Sequence, residues 1–177
     1  MELKIVEWVA QNLHHPVLDR IMVWITHLGD NGYLWVAVCL LLLCYKPTRK
    51  WGGVMALSLL LMLIFGEGTL KNLFQRARPY TRLPNLQLLI PPEPSYSFPS
   101  GHAAVSFAGA MVVWMMDPKR WGRVALAAAL LILFSRLYLS VHYPTDLLAG
   151  ALLGTGCAYA ARWLFELWIP IRKTEGK

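Results

Sequence analysis

Apolar residues recur along the whole chain in long runs, and short polar or Pro-containing breaks separate these runs. Six of the runs are predicted to be helices, covering about residues 17–28, 33–45, 51–74, 100–116, 121–139 and 144–168. Several are shorter than the roughly 20 residues that a helix needs to cross a bilayer core, so their flanks are expected to lengthen them. The pattern therefore predicts an all-α, polytopic membrane helix bundle with about six transmembrane helices.

Two stretches stand outside these helices. Residues 1–15 form an amphipathic N-terminal segment, which ends at the break His14-His15-Pro16. Residues 79–99 form a Pro-rich loop, because prolines within it exclude a regular helix. These prolines are Pro84, Pro91, Pro92 and Pro94. Residues 1–177 as a whole are expected to form one membrane-embedded domain.

The composition supports a membrane protein and argues against a nucleic-acid partner. Hydrophobic residues make up 56% of the chain and charged residues only 15%, whereas soluble domains carry about 25% charged residues. The net charge is +7, but the basic residues cluster at the ends of apolar runs, as in cytoplasmic loops. The expected partners are therefore the lipid bilayer and a membrane lipid. The three cysteines lie in apolar runs and are interpreted as small core residues: Cys39, Cys44 and Cys157.

The basic clusters also predict an orientation. Clusters around Lys46, Lys119 and Arg172 fall on one side if six helices alternate across the membrane, so that side is predicted to be cytoplasmic. Both termini then lie inside. The turn at Gly29, the loop 79–99 and the loop around His142 lie outside.

Several basic residues break this rule because they fall on the predicted outer side, namely Lys71, Arg76, Arg78, Arg82 and Arg136. Charged groups at membrane depth are costly and usually face a polar cavity. The end of the third helix, the start of the fourth and the loop between the fifth and sixth should meet at this depth. The exception to the charge rule therefore indicates a functional site on the outer face.

The residue types at this site are suited to an anionic ligand. Lys71, Arg78 and Arg136 supply fixed cations, and a guanidinium group matches phosphate oxygens in a bidentate manner. Ser100 is a candidate N-cap at a helix N-terminus, where free N–H groups and the helix dipole favour an anion. Gly101 lets the backbone approach an oxyanion closely because it has no Cβ.

Two histidines in the same segments can supply acid, base or nucleophile chemistry near neutral pH. His142 precedes Asp146 by four residues, so the carboxylate can hold one imidazole nitrogen and make the other more nucleophilic. His102, at a helix N-terminus, can protonate a leaving oxygen.

The same residues form three ordered motifs: Lys71 to Pro79 (Lys-x6-Arg-Pro), Pro99-Ser100-Gly101-His102, and Ser135-Arg136-x5-His142-x3-Asp146. In order, spacing and position at helix ends, they resemble the motifs of the type 2 phosphatidic acid phosphatase superfamily. This resemblance implies a metal-independent membrane lipid phosphatase that needs no cofactor. The sequence shows no acidic cluster able to hold magnesium, which agrees with this independence of metal ions. It implies that His142 attacks phosphorus to form a phosphohistidine, that Asp146 orients His142, and that His102 protonates the leaving group. It assigns phosphoryl binding to Lys71, Arg78, Ser100, Gly101 and Arg136.

Three charged residues near the motifs have more than one interpretation. Glu67 lies one turn before Lys71, which favours an ion pair that holds Lys71 in place over a direct catalytic role. Arg76 and Arg82 are interpreted either as substrate-binding residues or as residues that face lipid headgroups.

The substrate is the least determined feature, because one fold serves many phosphate esters. The early Leu18-Asp19, the Gly29-Asp30 turn and the small size resemble bacterial undecaprenyl diphosphate phosphatases. A phosphatidylglycerol phosphate phosphatase or a broad-range phosphatidate phosphatase is the alternative, and a non-catalytic lipid carrier or transporter is a remote one. The expected location is the bacterial plasma membrane, with the active site facing outside.

Overall fold

A computed structural model describes residues 1–83 and 86–169, and the described part contains helices and connecting loops but no strand. The α-helices are α1 (Glu2–Asn12), α2 (Pro16–Leu28), α3 (Tyr33–Cys44), α4 (Arg49–Met62), α5 (Lys71–Phe74), α6 (Gly101–Met116), α7 (Trp121–Tyr138) and α8 (Pro144–Trp168). A π-helical stretch, Leu63–Leu70, joins α4 to α5. The predicted all-α class and the six predicted helical segments are thus confirmed.

The bundle is organised around α6, which packs against α4, α7 and α8. Alanine, serine and glycine dominate this helix, so its neighbours approach its backbone closely. A Cβ at Gly150 of α8 would lie 2.5 Å from the carbonyl oxygen of Ser100, and Gly109 of α6 lies directly against the Trp35 ring. The Trp35 indole in turn donates to the Ser106 hydroxyl at 3.1 Å. These contacts fix the start of α6 beside the start of α8.

Three continuous helical segments are long and apolar enough to cross a membrane: Lys46–Arg82, Trp121–Tyr138 and Pro144–Trp168. The pair Pro16–Leu28 and Asp30–Cys44 passes the same test only together, with a bend of 45° between its halves. Helix α6 is apolar but has only 16 residues. By length and composition the described helices thus offer three spans, or four if this bent pair is one span, and the predicted number of about six stays a prediction. At 1.5 Å per residue, α2 is about 20 Å long, well below the roughly 30 Å of a bilayer core.

This arrangement corrects the predicted position of the N-terminus. We call the end of the bundle that holds Lys71, His102 and His142 the site end. The first helix lies there, because Glu2 accepts a hydrogen bond from Arg76 at 2.8 Å.

The last described turns of α8 lie at the opposite end, where the Arg162 guanidinium stacks over Trp51 at the start of α4. Glu2 and the last described turns of α8 thus lie at opposite ends of the bundle, and the predicted cytoplasmic position of the C-terminus stays a prediction. The basic cluster at Arg172 lies outside the described residues.

Candidate active site

His142 is fully buried in the short loop between α7 and α8. Its Nδ1 lies 2.8 Å from the carbonyl oxygen of Ser97, and its Nε2 lies 3.4 Å from an Arg78 guanidinium nitrogen. Because a carbonyl oxygen only accepts hydrogen bonds, Nδ1 must carry the proton and Nε2 must carry the lone pair. The free lone pair therefore points toward a cationic side chain, where an anionic phosphate would bind.

Burial is the main cause that holds the pKa of His142 well below its ordinary value, and the nearby cations of Arg78 and Arg136 act in the same direction. The imidazole is therefore neutral at pH 7. A neutral imidazole is the form that can attack phosphorus.

Asp146 is placed differently from the prediction, which had it hold His142 directly. Its carboxylate lies 3.7 Å from His142 Nδ1, beyond hydrogen-bond distance, whereas the Ser97 carbonyl is nearer. One Asp146 oxygen instead accepts bonds from the Ser97 hydroxyl at 2.5 Å and from the Tyr143 amide at 3.0 Å. Asp146 therefore holds the segment whose carbonyl holds His142, so its effect on the imidazole passes through Ser97.

Arg76 completes this support rather than facing substrate or lipid. Its guanidinium donates to the other Asp146 oxygen at 2.6 Å, to Glu2 at 2.8 Å, and stacks over the Tyr143 ring at 3.9 Å. The sequence singled out Arg76 but not its partners. Ser97 carries no signal in the sequence, because it acts on His142 through its backbone carbonyl.

The three predicted phosphate-binding cations come together at the site end, and carboxylates pair with each of them. Lys71 donates to both Glu67 oxygens at 2.8 Å, which agrees with the predicted ion pair. Arg78 donates to Glu93 at 2.6 Å, and Arg136 pairs with the other Glu93 oxygen. Arg136 also donates to the Thr26 hydroxyl at 2.6 Å. These pairings offset the cost of burying the cations.

Ser100 and Gly101 open α6 beside these cations. The Ser100 hydroxyl accepts a hydrogen bond from the Ala103 amide at 3.4 Å, which places it as the N-cap. A Cβ at Gly101 would collide with the Glu67 carboxylate, so a larger residue there would displace the Glu67 side chain. The start of α6 thus lies directly against the Lys71–Glu67 pair.

His102 lies across a cavity from His142. The cavity has a volume of about 420 Å³, and both histidines line it together with Lys71, Glu67 and Glu93. All the predicted site residues thus lie in or beside one pocket. Their catalytic and binding roles remain predictions.

The sequence did not single out Glu93, although its carboxylate binds the two arginines that a phosphate would need. We expect Glu93→Gln to lower the inhibition constant for vanadate several-fold, because an incoming anion would no longer compete with a charged carboxylate. Glu166→Gln, far from the site in α8, is the matched control. Unchanged inhibition in Glu93→Gln protein would mean that Glu93 does not compete with the anion.

Comparison with known proteins agrees with this geometry. Residues 51–169 match the PAP2 superfamily. An undecaprenyl-diphosphatase from Sulfolobus acidocaldarius is 34% identical over 158 residues, which cover 89% of this chain and 75% of that protein. Phosphatidylglycerophosphatase B from Bacillus subtilis is 30% identical over 155 residues, which cover 80% of this chain and 72% of that protein.

Two solved structures share the fold. LpxE from Aquifex aeolicus superimposes with a TM-score of 0.81 at 27% identity, over 92% of this chain and 94% of that one. A PAP2-type phosphatidylglycerolphosphate phosphatase from Bacillus subtilis superimposes with a TM-score of 0.76 at 28% identity, over 97% of this chain and 87% of that one. The chain belongs to the PAP2 superfamily and is a membrane lipid phosphatase.

Proposed function

We propose that the chain removes the terminal phosphate of undecaprenyl diphosphate, producing undecaprenyl phosphate, through a phosphohistidine formed on His142. The observation that carries this proposal is the state of His142. Its proton is held by the Ser97 carbonyl, and its Nε2 lone pair lies beside Arg78 in a pocket that Lys71 also lines. A neutral, fixed nucleophile next to fixed cations is suited to attack on a phosphoryl group.

The reaction runs in two steps. In the first, the His142 Nε2 lone pair bonds to phosphorus, the bond from phosphorus to the leaving oxygen breaks, and His102 gives that oxygen a proton. In the second, water attacks phosphorus, the phosphorus–nitrogen bond breaks, and His102 takes a proton from the water. Lys71, Arg78 and Arg136 balance the charge on the phosphoryl oxygens in both steps.

The identity of the lipid rests on the relatives and on the bundle surface. A relative that covers most of this chain is named as an undecaprenyl-diphosphatase. In this chain, an apolar groove of about 540 Å³ runs between α3, α6 and α7, with Trp35, Val38 and Val113 among its lining residues. The groove extends to the end opposite the site, where a long hydrocarbon tail could lie within the bilayer while the phosphate is at the site end. Phosphatidylglycerol phosphate is the second candidate substrate, because the name of the Bacillus subtilis relative points to it.

A substrate panel in EDTA tests the proposal. Purified protein should release phosphate from undecaprenyl diphosphate, phosphatidylglycerol phosphate and phosphatidate with divalent metals chelated, because three cations supply the charge that magnesium supplies elsewhere. We expect the highest kcat/KM for undecaprenyl diphosphate and inhibition by vanadate, which imitates five-coordinate phosphorus. A strict need for added metal would contradict the proposed site. A preference for phosphatidylglycerol phosphate would change the proposed substrate and leave the proposed mechanism standing.

We further propose that the protein lies in the plasma membrane with the site end outside. The support is charge: clusters at Lys46–Lys50 and at Lys119–Arg123 lie at the end opposite the site. A phosphatase that faces outside would act on a carrier lipid released on the outer leaflet.

Cysteine labelling in intact cells tests this orientation. In a protein without Cys39, Cys44 and Cys157, single exposed cysteines at Gln11 and Thr81 should react with an impermeant thiol reagent, and one at Lys119 should not. Labelling at Lys119 with protection at Thr81 would show that the protein has the opposite orientation in the membrane. Protection at Gln11 with labelling at Thr81 would instead overturn the placement of α1 at the site end.

A further inference from the structure

Asp30 lies between two histidines at the site end. Its Oδ1 is 2.9 Å from Nε2 of His102, and its Oδ2 is 2.6 Å from Nδ1 of His27. The His102 side chain is only 15% exposed, whereas that of His27 is 53% exposed. One carboxylate thus joins the predicted general acid to a histidine on the protein surface.

The turn that carries Asp30 is shaped for close contact with His102. A Cβ at Gly29 would lie 2.8 Å from Cδ2 of the His102 ring, so no larger residue fits without displacement. Asn31 and Gly32 follow in left-handed conformations, with φ of 49° and 69°. Left-handed backbone costs energy for a non-glycine residue and persists only where surrounding structure enforces it. Gly29, Asn31 and Gly32 also line the cavity that holds both catalytic histidines.

These contacts determine which edge of the His102 ring remains available. Nε2 is bonded to Asp30, and Cδ2 is pressed against Gly29. Across residues 1–83 and 86–169, no side chain or backbone group hydrogen-bonds to Nδ1 of His102. The Nδ1 edge is therefore the edge that can reach a substrate.

We propose that Asp30 is a positioning residue for the general acid: it holds Nε2–H of His102, so that Nδ1 exchanges the catalytic proton with the leaving oxygen. This inference rests on the proposed function and adds a residue to its mechanism. His27 bonds the second Asp30 oxygen and so stops the carboxylate from rotating away from His102.

The proton transfers balance over the two steps. As the phosphorus–oxygen bond breaks, its electron pair goes to the leaving oxygen, which takes the proton from Nδ1 of His102. The ring then remains neutral with its proton on Nε2, still bonded to Asp30. In the second step water gives a proton to Nδ1 as its oxygen bonds to phosphorus. Asp30 therefore keeps His102 in the tautomer that the second step needs.

The experiment compares two substrates with different leaving groups. Phenolate needs protonation as it leaves, whereas p-nitrophenolate is a stable anion and hardly does. The kcat/KM value reports the first step only. We expect Asp30→Asn to lower kcat/KM about tenfold to a hundredfold for phenyl phosphate and less than about threefold for p-nitrophenyl phosphate, because general-acid assistance is worth about a hundredfold or more. Asp117→Asn, in the loop at the opposite end, is the matched control and should change neither value.

Two further variants separate positioning from a structural effect. Asp30→Glu should recover part of the loss on phenyl phosphate, because it retains the carboxylate. In a His102→Ala background, Asp30→Asn should cause no further loss, because Asp30 acts through His102. Equal losses on both substrates, or additive losses in the double variant, would overturn the proposal.

The His102→Ala protein separates a failure of the proposed Asp30 role from a failure of the proposed phosphatase function. If it shows the leaving-group difference and Asp30→Asn does not, the role of Asp30 fails and the proposed function stands. If wild-type protein hydrolyses no phosphate monoester or lipid diphosphate, the proposed function fails first.

Discussion

His142→Ala protein is expected to fold normally and to lose kcat by about four orders of magnitude or more, as removal of a nucleophile typically does. The structure offers no substitute in the described part of the cavity. The other lining histidine, His102, has its Nε2 bonded to Asp30 and, in the proposed mechanism, carries the catalytic proton on Nδ1, so it has no lone pair free for attack. A large loss is expected with every leaving group, because His142 Nε2 must displace each of them before water can attack phosphorus.

The matched control is His15→Ala. His15 is exposed and caps α2 by accepting a bond from Val17 at 3.3 Å, so its removal should affect that helix end alone. Retention of helical circular dichroism and of the elution volume in detergent would show that the His142 variant is folded. Activity near the wild-type level in folded His142→Ala protein would show that His142 is not the nucleophile.

Arg78→Ala should cause the next largest loss, about a thousandfold in kcat/KM. The Arg78 guanidinium contacts Nε2 of His142, the Val141 carbonyl at 3.1 Å and Glu93 at 2.6 Å, so it both fixes the loop and faces the transferred phosphoryl group. Removing one hydrogen-bond donor to a developing anion lowers the rate about a hundredfold to a thousandfold. Arg78 is a charged, bidentate donor, so its loss should lie at the upper end of that range.

Arg78→Lys should recover little of this activity, because an ammonium group cannot reproduce the planar fork of donors. Arg123→Ala, an exposed arginine at the start of α7, is the control and should retain full activity. Vanadate inhibition provides a second measurement, because Arg78→Ala should weaken it in parallel with kcat/KM. Full activity in Arg78→Lys protein would show that charge alone suffices at this position.

Much of the fold was predictable because apolar runs and polar breaks mark membrane helices directly. What could not be predicted is the position of α1. A regular alternation of six spans treats every apolar run as a crossing. Glu2, however, bonds to Arg76 and Thr145 at the site end, and these residues are far away in the sequence. Contacts of this kind leave no local pattern, so the position of the N-terminal helix could not be inferred from residue periodicity.

The site shows the same division. Five site residues were predictable, because charged or titratable residues at the ends of apolar helices are rare and need a cause. These residues are Lys71, Arg78, His102, Arg136 and His142. Glu67 was also predictable, as the partner of Lys71, but the other partners were not. Ser97 acts through a backbone carbonyl, and Glu93 is an acidic residue in an irregular loop. The sequence marks Asp30 only as part of a turn, because its contact with His102 depends on how α2 and α3 bend.

The measurement that tests the central claim most directly is detection of the phosphoenzyme. Purified protein is mixed with p-nitrophenyl phosphate labelled with ³²P, quenched in alkali, and digested for mass spectrometry. Wild-type and His102→Ala proteins should carry label that is stable in alkali and lost in acid, at His142. The His102→Ala protein should carry more, because water is then activated poorly. His142→Ala protein should carry none. Acid-stable label on another residue, or equal label in the His142→Ala protein, would contradict a phosphohistidine mechanism in this chain.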